Sequence, residues 1–270
     1  MNLRAKAGIK AGALHLLASL LVATVLAYVV FGVWYPYPHR AMAGGTDLFL
    51  LVIAVDAVCG PLLTAVVFNP GKPRRELATD LSFIVLVQLG ALAYGTHAVA
   101  TLRPVALVFE ADRMVSVAAG SIPQSELRNA PPEFASLSWT GPLLLGSRKP
   151  KDAAEQLRSI DMSLQGVEVS MRPSWWQPYA MSLPDIKARM KPLPPLYEAL
   201  GESKRAILAA AVERSGHSKD QLFYLPLTSA LVTDWIVLLD EAGSIVDFAE
   251  VDGFLAWSSS DPKGSEAPTK

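Results

Sequence analysis

The chain has 270 residues, 51% of them hydrophobic, with a mean hydropathy of +0.30 and a formal net charge of −1. That hydropathy is high for a wholly water-soluble protein, yet 25 acidic residues exclude one lying entirely within lipid. The near-neutral total hides a division: residues 1–102 carry seven Lys/Arg against four Asp/Glu, and the remainder is net acidic by four, without the dense basic stripe of a nucleic-acid binder.

Three apolar stretches occupy the first hundred residues, at about 11–33, 47–68 and 81–102. Each has the ~20 residues needed to cross ~30 Å of hydrocarbon. The first is longer than the apolar part of a signal peptide, and no A-x-A cleavage site follows it, so it reads as a retained anchor. It ends in Trp34-Tyr35-Pro36-Tyr37-Pro38, the kind of aromatic run that settles at a membrane–water interface. Arg4, Lys6 and Lys10 precede the first stretch, and Lys72, Arg74 and Arg75 lie between the second and third. The loop between the first two holds only Arg40, beside His39. Because Lys and Arg favour the cytoplasmic side, the N-terminus is expected inside and everything after Arg103 outside.

Asp56 is the feature that stands out within these stretches. An ionisable residue there costs roughly 2.5–3.5 kcal/mol on the insertion scale and belongs in the protein interior. It is followed by Gly60-Pro61 and Thr64. Pro61 removes a backbone donor and frees a carbonyl one turn back, near Ala57, while Gly60 permits close approach of another helix. Gln88 and Tyr94 in the third stretch lie at comparable depth. Asp56 therefore reads either as a group that senses a proton or a partner helix, or as a hydrogen-bonded staple of the bundle. Cys59, the only cysteine, sits in the same stretch, so the outer part contains no internal disulfide.

Residues 103–257 suffice for one small α+β domain, and 258–270 read as a polar, disordered tail. Val-rich strands are expected at 104–109 and 113–118, and a third at 136–145. Asp152-Ala153-Ala154-Glu155 has capping-box spacing and predicts a helix, and Ser182-Leu183-Pro184-Asp185 predicts a shorter one. A helix over 202–214 should stop at Gly216. Residues 231–239 and 245–251 form a hairpin pattern about a turn containing Gly243. No H-E-x-x-H, C-x-x-C, G-x-S-x-G or phosphate loop occurs, so neither catalysis nor a cofactor or metal is expected. Trp175, Trp176 and Tyr179, set among Arg172, Pro173, Gln177 and Pro178, form either an external binding surface or a plug at the edge of the core.

Tyr35-Pro36-Tyr37-Pro38, Gly44-Gly45, Asp56 with Gly60-Pro61-Leu62-Leu63-Thr64, Lys72, Asp80-Leu81, Gln88, Tyr94-Gly95, Arg103-Pro104-Val105 and Tyr224-Leu225-Pro226-Leu227 together resemble the TfpX/TfpZ family of type IV pilin accessory proteins. The resemblance implies a multi-pass inner-membrane protein with a periplasmic domain, supporting assembly of a pilin anchored by an apolar N-terminal helix. Its implied partners are that pilin, the lipid bilayer and other pilus-assembly proteins. Two alternatives stay open. One is a membrane enzyme modifying pilin or a lipid-linked sugar, for which Asp47, His97 and Arg103 are the evident acid–base set. The other is a subunit of a transport or signalling complex.

Overall fold

The computed structural model describes residues 3–42 and 45–256. The expected tail at 258–270 and Gly44 of the family-like run lie outside the described residues. The chain divides into two compact units, Met1–Arg103 and Pro104–Lys270.

In the first unit, α1 (Leu3–Ala27) continues as a π-helical segment (Tyr28–Trp34), a short α2 (His39–Met42) follows, and α3 (Gly45–Val67) and α4 (Arg74–Leu102) complete it. Three of these helices are long and apolar enough to cross a membrane: Leu3–Trp34, Asp47–Val67 and Arg74–Leu102. Leu14, Leu17, Leu21, Leu51, Val66, Phe83 and Leu86 are all more than 60% exposed, an arrangement suited to lipid rather than water. The third helix starts earlier than its apolar stretch, because Lys72 bridges both Glu76 and Asp80 and carries the helix through a polar first turn. Small residues bring the helices together. Gly12 lies so close to α3 that an added Cβ would stand 2.8 Å from the Pro61 carbonyl oxygen, and one on Gly95 would meet both methyls of Val52 at 2.6 Å.

The second unit is built on a mixed eight-stranded sheet: β1 (Pro104–Glu110), β2 (Arg113–Ala118), β3 (Leu143–Ser147), β4 (Trp176–Pro178), β5 (Lys191–Pro192), β6 (Phe223–Thr228), β7 (Trp235–Leu239) and β8 (Ile245–Ala249). The order is β4-β3-β1-β2-β6-β7-β8, with β5 added alongside β6. β1 runs parallel to β3 and β2 parallel to β6, while the other pairs are antiparallel. Helices α5 (Gln124–Arg128), α6 (Ala153–Leu164), α7 (Tyr179–Arg189), α8 (Leu193–Ala199) and α9 (Glu202–Ser215) surround it. Leu193, Leu196 and Leu208 from α8 and α9 cover Tyr224, Ile236 and Leu238. Alternate residues Leu225, Leu227, Val237 and Leu239 are equally buried, so β6 and β7 are enclosed on both faces.

The elements read from the sequence appear with three adjustments. The third strand is confined to Leu143–Ser147. The hairpin strand begins at Trp235 rather than 231, because Ser229 Oγ accepts from the backbone N–H groups of Leu231 and Val232 and holds a turn there. The Ser182 signal does not start a helix: α7 already begins at Tyr179 and runs through Pro184, while Ser182 Oγ is taken by Gln177 Nε2 at 2.8 Å. The other two signals stand as read. Asp152 accepts from Glu155 N at 2.7 Å, and Gly216 closes α9 in the left-handed region at φ 70°.

Candidate membrane groove

Helices α1 and α4 both pack on α3. At one end of the unit the three meet around Val30, Tyr35, Phe49 and Val99, with Phe31 and Phe49 edge to face at 5.2 Å and the Tyr35 hydroxyl donating to the Val99 carbonyl at 2.7 Å. Away from that cluster, α1 and α4 leave between them an open groove of about 490 Å³ floored by α3. Its walls are apolar, with Leu14, Val22, Val85 and Leu89 among them, but five polar side chains line it: His15, Ser19, Asp56, Thr64 and Gln88.

Two pairs organise these groups. His15 Nδ1 lies 2.6 Å from the hydroxyl of Thr64, which is itself buried. Gln88 Nε2 donates both to the Asp56 carboxylate, at 3.0 Å, and to the Asp56 backbone carbonyl, at 3.1 Å. Gly60 makes the second pair possible, because any Cβ there would collide with the Gln88 amide. Pro61 removes the N–H that would bond Ala57, so this turn is short of intrahelical hydrogen bonds. The Gln88 carbonyl oxygen is buried without a hydrogen-bond partner.

Of the residues singled out in the membrane stretches, the structure thus brings together Asp56, Gly60, Pro61, Thr64 and Gln88. Tyr94 is not among them: it is 78% exposed on α4 and lines no part of the groove. Sequence reasoning missed His15, which is not among the residues singled out above. Antiparallel pairing of α1 with α3 puts it level with Thr64, and matching the depths of polar residues across all three stretches would have found it.

The aromatic run of the second unit does not form an external surface. Trp175 and Trp176 are 7% and 3% exposed. Trp176 packs edge to face on Phe134, and its indole N–H donates to the Ser170 carbonyl at 2.8 Å. Trp175 is stacked by the guanidinium groups of Arg148 and Arg172. Tyr179 is half-buried, donates to the Gly243 carbonyl at 2.7 Å, and has its phenol pushed up to about 12 by burial with help from Asp240. These three side chains are core and edge packing. The apolar surface the domain does expose is on α6, where Leu157, Ile160 and Leu164 (65%, 50% and 82% exposed) share one face. The opposite face of that helix is held by Arg172, which bonds Ser159 and Ser163, and by the Arg148–Glu155 pair. Those bonds, first from Arg148 and then from the Lys151 backbone, lower the Glu155 carboxyl to about 2.

The alternative acid–base set is not poised alike. Asp47 and His97 are exposed, whereas Arg103 is buried and donates to the Ala100 carbonyl at 2.6 Å. Among the described residues, no three His, Cys, Asp or Glu side chains are grouped to hold a metal ion.

The N-terminal part of the sequence carries a further signal: the model of the FimB fimbrial assembly protein family matches residues 3–44. Over 245 residues the chain is 36% identical to the serogroup I fimbrial assembly protein of Dichelobacter nodosus, covering 91% of this chain and 95% of that one. The serogroup E1 protein of the same organism is 35% identical over the same extent. This chain belongs to the fimbrial assembly protein family. A shorter relative, the fimbrial assembly protein of serogroups C1 and C2, is 42% identical over 121 residues, 92% of its own length and 45% of this chain. No solved structure matches.

Proposed function

We propose that this family member is an inner-membrane accessory protein of the TfpX/TfpZ type, which supports a type IV pilin by non-catalytic contact before or during its incorporation into the pilus. Its similarity along nine-tenths of the chain to proteins named for fimbrial assembly carries the reading. The groove adds the physical means. A protein that handles a membrane-anchored subunit needs a lipid-facing surface other than a smooth apolar cylinder, and this one has it. The lysines and arginines on the short flanks support a cytoplasmic N-terminus and a periplasmic sheet domain.

The test is deletion of the gene with complementation, combined with affinity purification of the tagged full-length protein from native membranes in mild detergent. Loss of surface pili on deletion and co-purification of the major pilin are the expected results. Normal piliation of the deletion strain, with no pilin in the purified material, would remove the reading. Stoichiometric covalent change of the pilin, abolished by Asp47→Asn or His97→Ala in a folded protein, would replace it with the catalytic alternative.

A further inference from the structure

We propose that the groove between α1 and α4 is the docking site of one membrane helix of the pilus subunit, and that this helix brings a hydrogen-bond donor to Asp56. The partner's identity rests on the preceding reading; the surface and its chemistry go beyond it.

Shape comes first. The groove is walled by α1 from Ala11 to Val22 and by α4 from Leu81 to Leu92, eleven residue steps on each side. At 1.5 Å per residue that is about 17 Å, or three turns of a helix lying along it. The groove is open along its side, so an occupant can enter laterally from the bilayer. Ala11, Ala18 and Ser19 on the α1 wall have little side chain, which lets a helix backbone come close.

The floor then specifies the occupant's chemistry. An acyl chain would match the walls but leave the polar floor facing hydrocarbon. Of that floor, His15 and Thr64 are engaged with each other, and the Gln88 amide N–H₂ is committed to Asp56. Ser19 on the α1 wall and the second ring nitrogen of His15 can bond as donors or acceptors, and on α3 what remains is the acceptor capacity of Asp56. The Asp56 carboxyl has two oxygens, and its described hydrogen bonding is the single contact of one oxygen with Gln88. The complement of an acceptor-rich spot in an apolar groove is an apolar helix with one donor at that level: a hydroxyl, an amide or a cation.

A photo-crosslinking amino acid placed in the full-length protein at Ser19 and Leu89, inside the groove, and at Phe83 and Val66, on lipid-exposed surface outside it, tests this in native membranes. Pilus-subunit adducts are expected at Ser19 and Leu89 at least tenfold above Phe83 and Val66. At equal protein level, Asp56→Leu should lower the groove adducts at least fivefold. Asp56→Asn, which keeps a carbonyl acceptor, should retain more than half of them, and its recovery at wild-type yield controls for folding. If the subunit co-purifies but crosslinks equally at all four positions, or if the groove positions yield only lipid adducts, the groove is not the docking site although the accessory reading stands. Groove adducts unchanged in Asp56→Leu overturn the donor. Absence of the subunit from both adducts and co-purified material overturns the accessory reading and this inference with it.

Discussion

Arg172 in the sheet domain and Asp56 in the helical unit are both ionisable side chains placed among apolar ones, and they are treated in opposite ways. Arg172 is fully buried and saturated: its guanidinium donates to the Val167 carbonyl, to the Ser159 hydroxyl and carbonyl and to the Ser163 hydroxyl, and lies against the Trp175 ring. Asp56 receives one amide and opens onto a groove. A polar residue whose every bond is spent inside the fold holds structure. One left partly unspent, in a medium where each unmet group costs several kcal/mol, is available to something else. The contrast also shows in the glycines, since Gly60 admits a side chain to the site while Gly216 merely ends a helix.

The sharpest way to break that contrast is at its saturated end. Arg172→Ala strands two serine hydroxyls and two carbonyls and uncovers one side of Trp175, and it detaches the inner face of α6. We expect a loss of several kcal/mol, since each buried acceptor left unsatisfied costs about 1–3 kcal/mol. Denaturation of the full-length protein in detergent, followed by tryptophan fluorescence, measures it. Arg172→Lys should recover little, because an ammonium cannot reproduce the planar fork that meets acceptors on α6 and on the loop after it. A loss below 1 kcal/mol would mean that saturation is no sign of structural weight here.

A smaller effect tests burial in the link between the first two membrane helices. His39 is 2% exposed, and burial pushes its imidazole down from 6.5 to about 4. The folded protein therefore resists a proton that the unfolded chain accepts near 6.5. Stability is full above that pH and declines as pH falls from 6.5 towards 4, by at most about 3 kcal/mol at 1.36 kcal/mol per unit. The difference between wild type and His39→Gln in apparent thermal midpoint, measured from pH 7 to pH 4, isolates this group from the carboxylates. Glu155 acts in the same direction at lower pH, its contribution disappearing as pH falls from 4.5 through about 2. A wild-type midpoint that does not fall relative to the glutamine variant would show that His39 takes up its proton within the fold.

Much of this was legible in the sequence, for reasons that separate the two units as well. Membrane helices announce themselves by length and hydropathy, so the three stretches and the depth of Asp56 and Gln88 could be read directly. Strands β1 and β2, the Asp152 cap and the Gly216 stop are local signals that tertiary contacts did not override. What could not be read depends on contacts distant in sequence. Strand β6 contains Pro226 and no polar alternation, because it is covered on both faces and pairs on both sides. The helix through Pro184 overrides a breaker, and the tryptophans that looked like a platform are drawn inward by Phe134, Arg148 and Arg172. At the groove, composition gave Asp56 and Gln88 but not His15, whose partner Thr64 lies 49 residues away.

The smallest expected effect discriminates best at the open end of the comparison. Gln88→Leu removes the amide that serves Asp56 and fills the same space with apolar atoms. Hydrogen bonds between membrane helices contribute on average about 0.6 kcal/mol and at most about 1.7, so the variant should fold with a thermal midpoint in detergent close to that of wild type. It also eliminates the unpartnered buried carbonyl of Gln88, which offsets part of the loss. If Asp56 and Gln88 were only a staple, that small stability change would be the whole consequence, and piliation would follow protein level. If Asp56 serves a partner, Gln88→Leu leaves the carboxyl unsupported on α3, and pilus assembly should drop severalfold while the protein remains folded and abundant. Piliation and protein abundance measured on the same strain separate the two cases, because Gln88 holds Asp56 without being the acceptor offered to the groove.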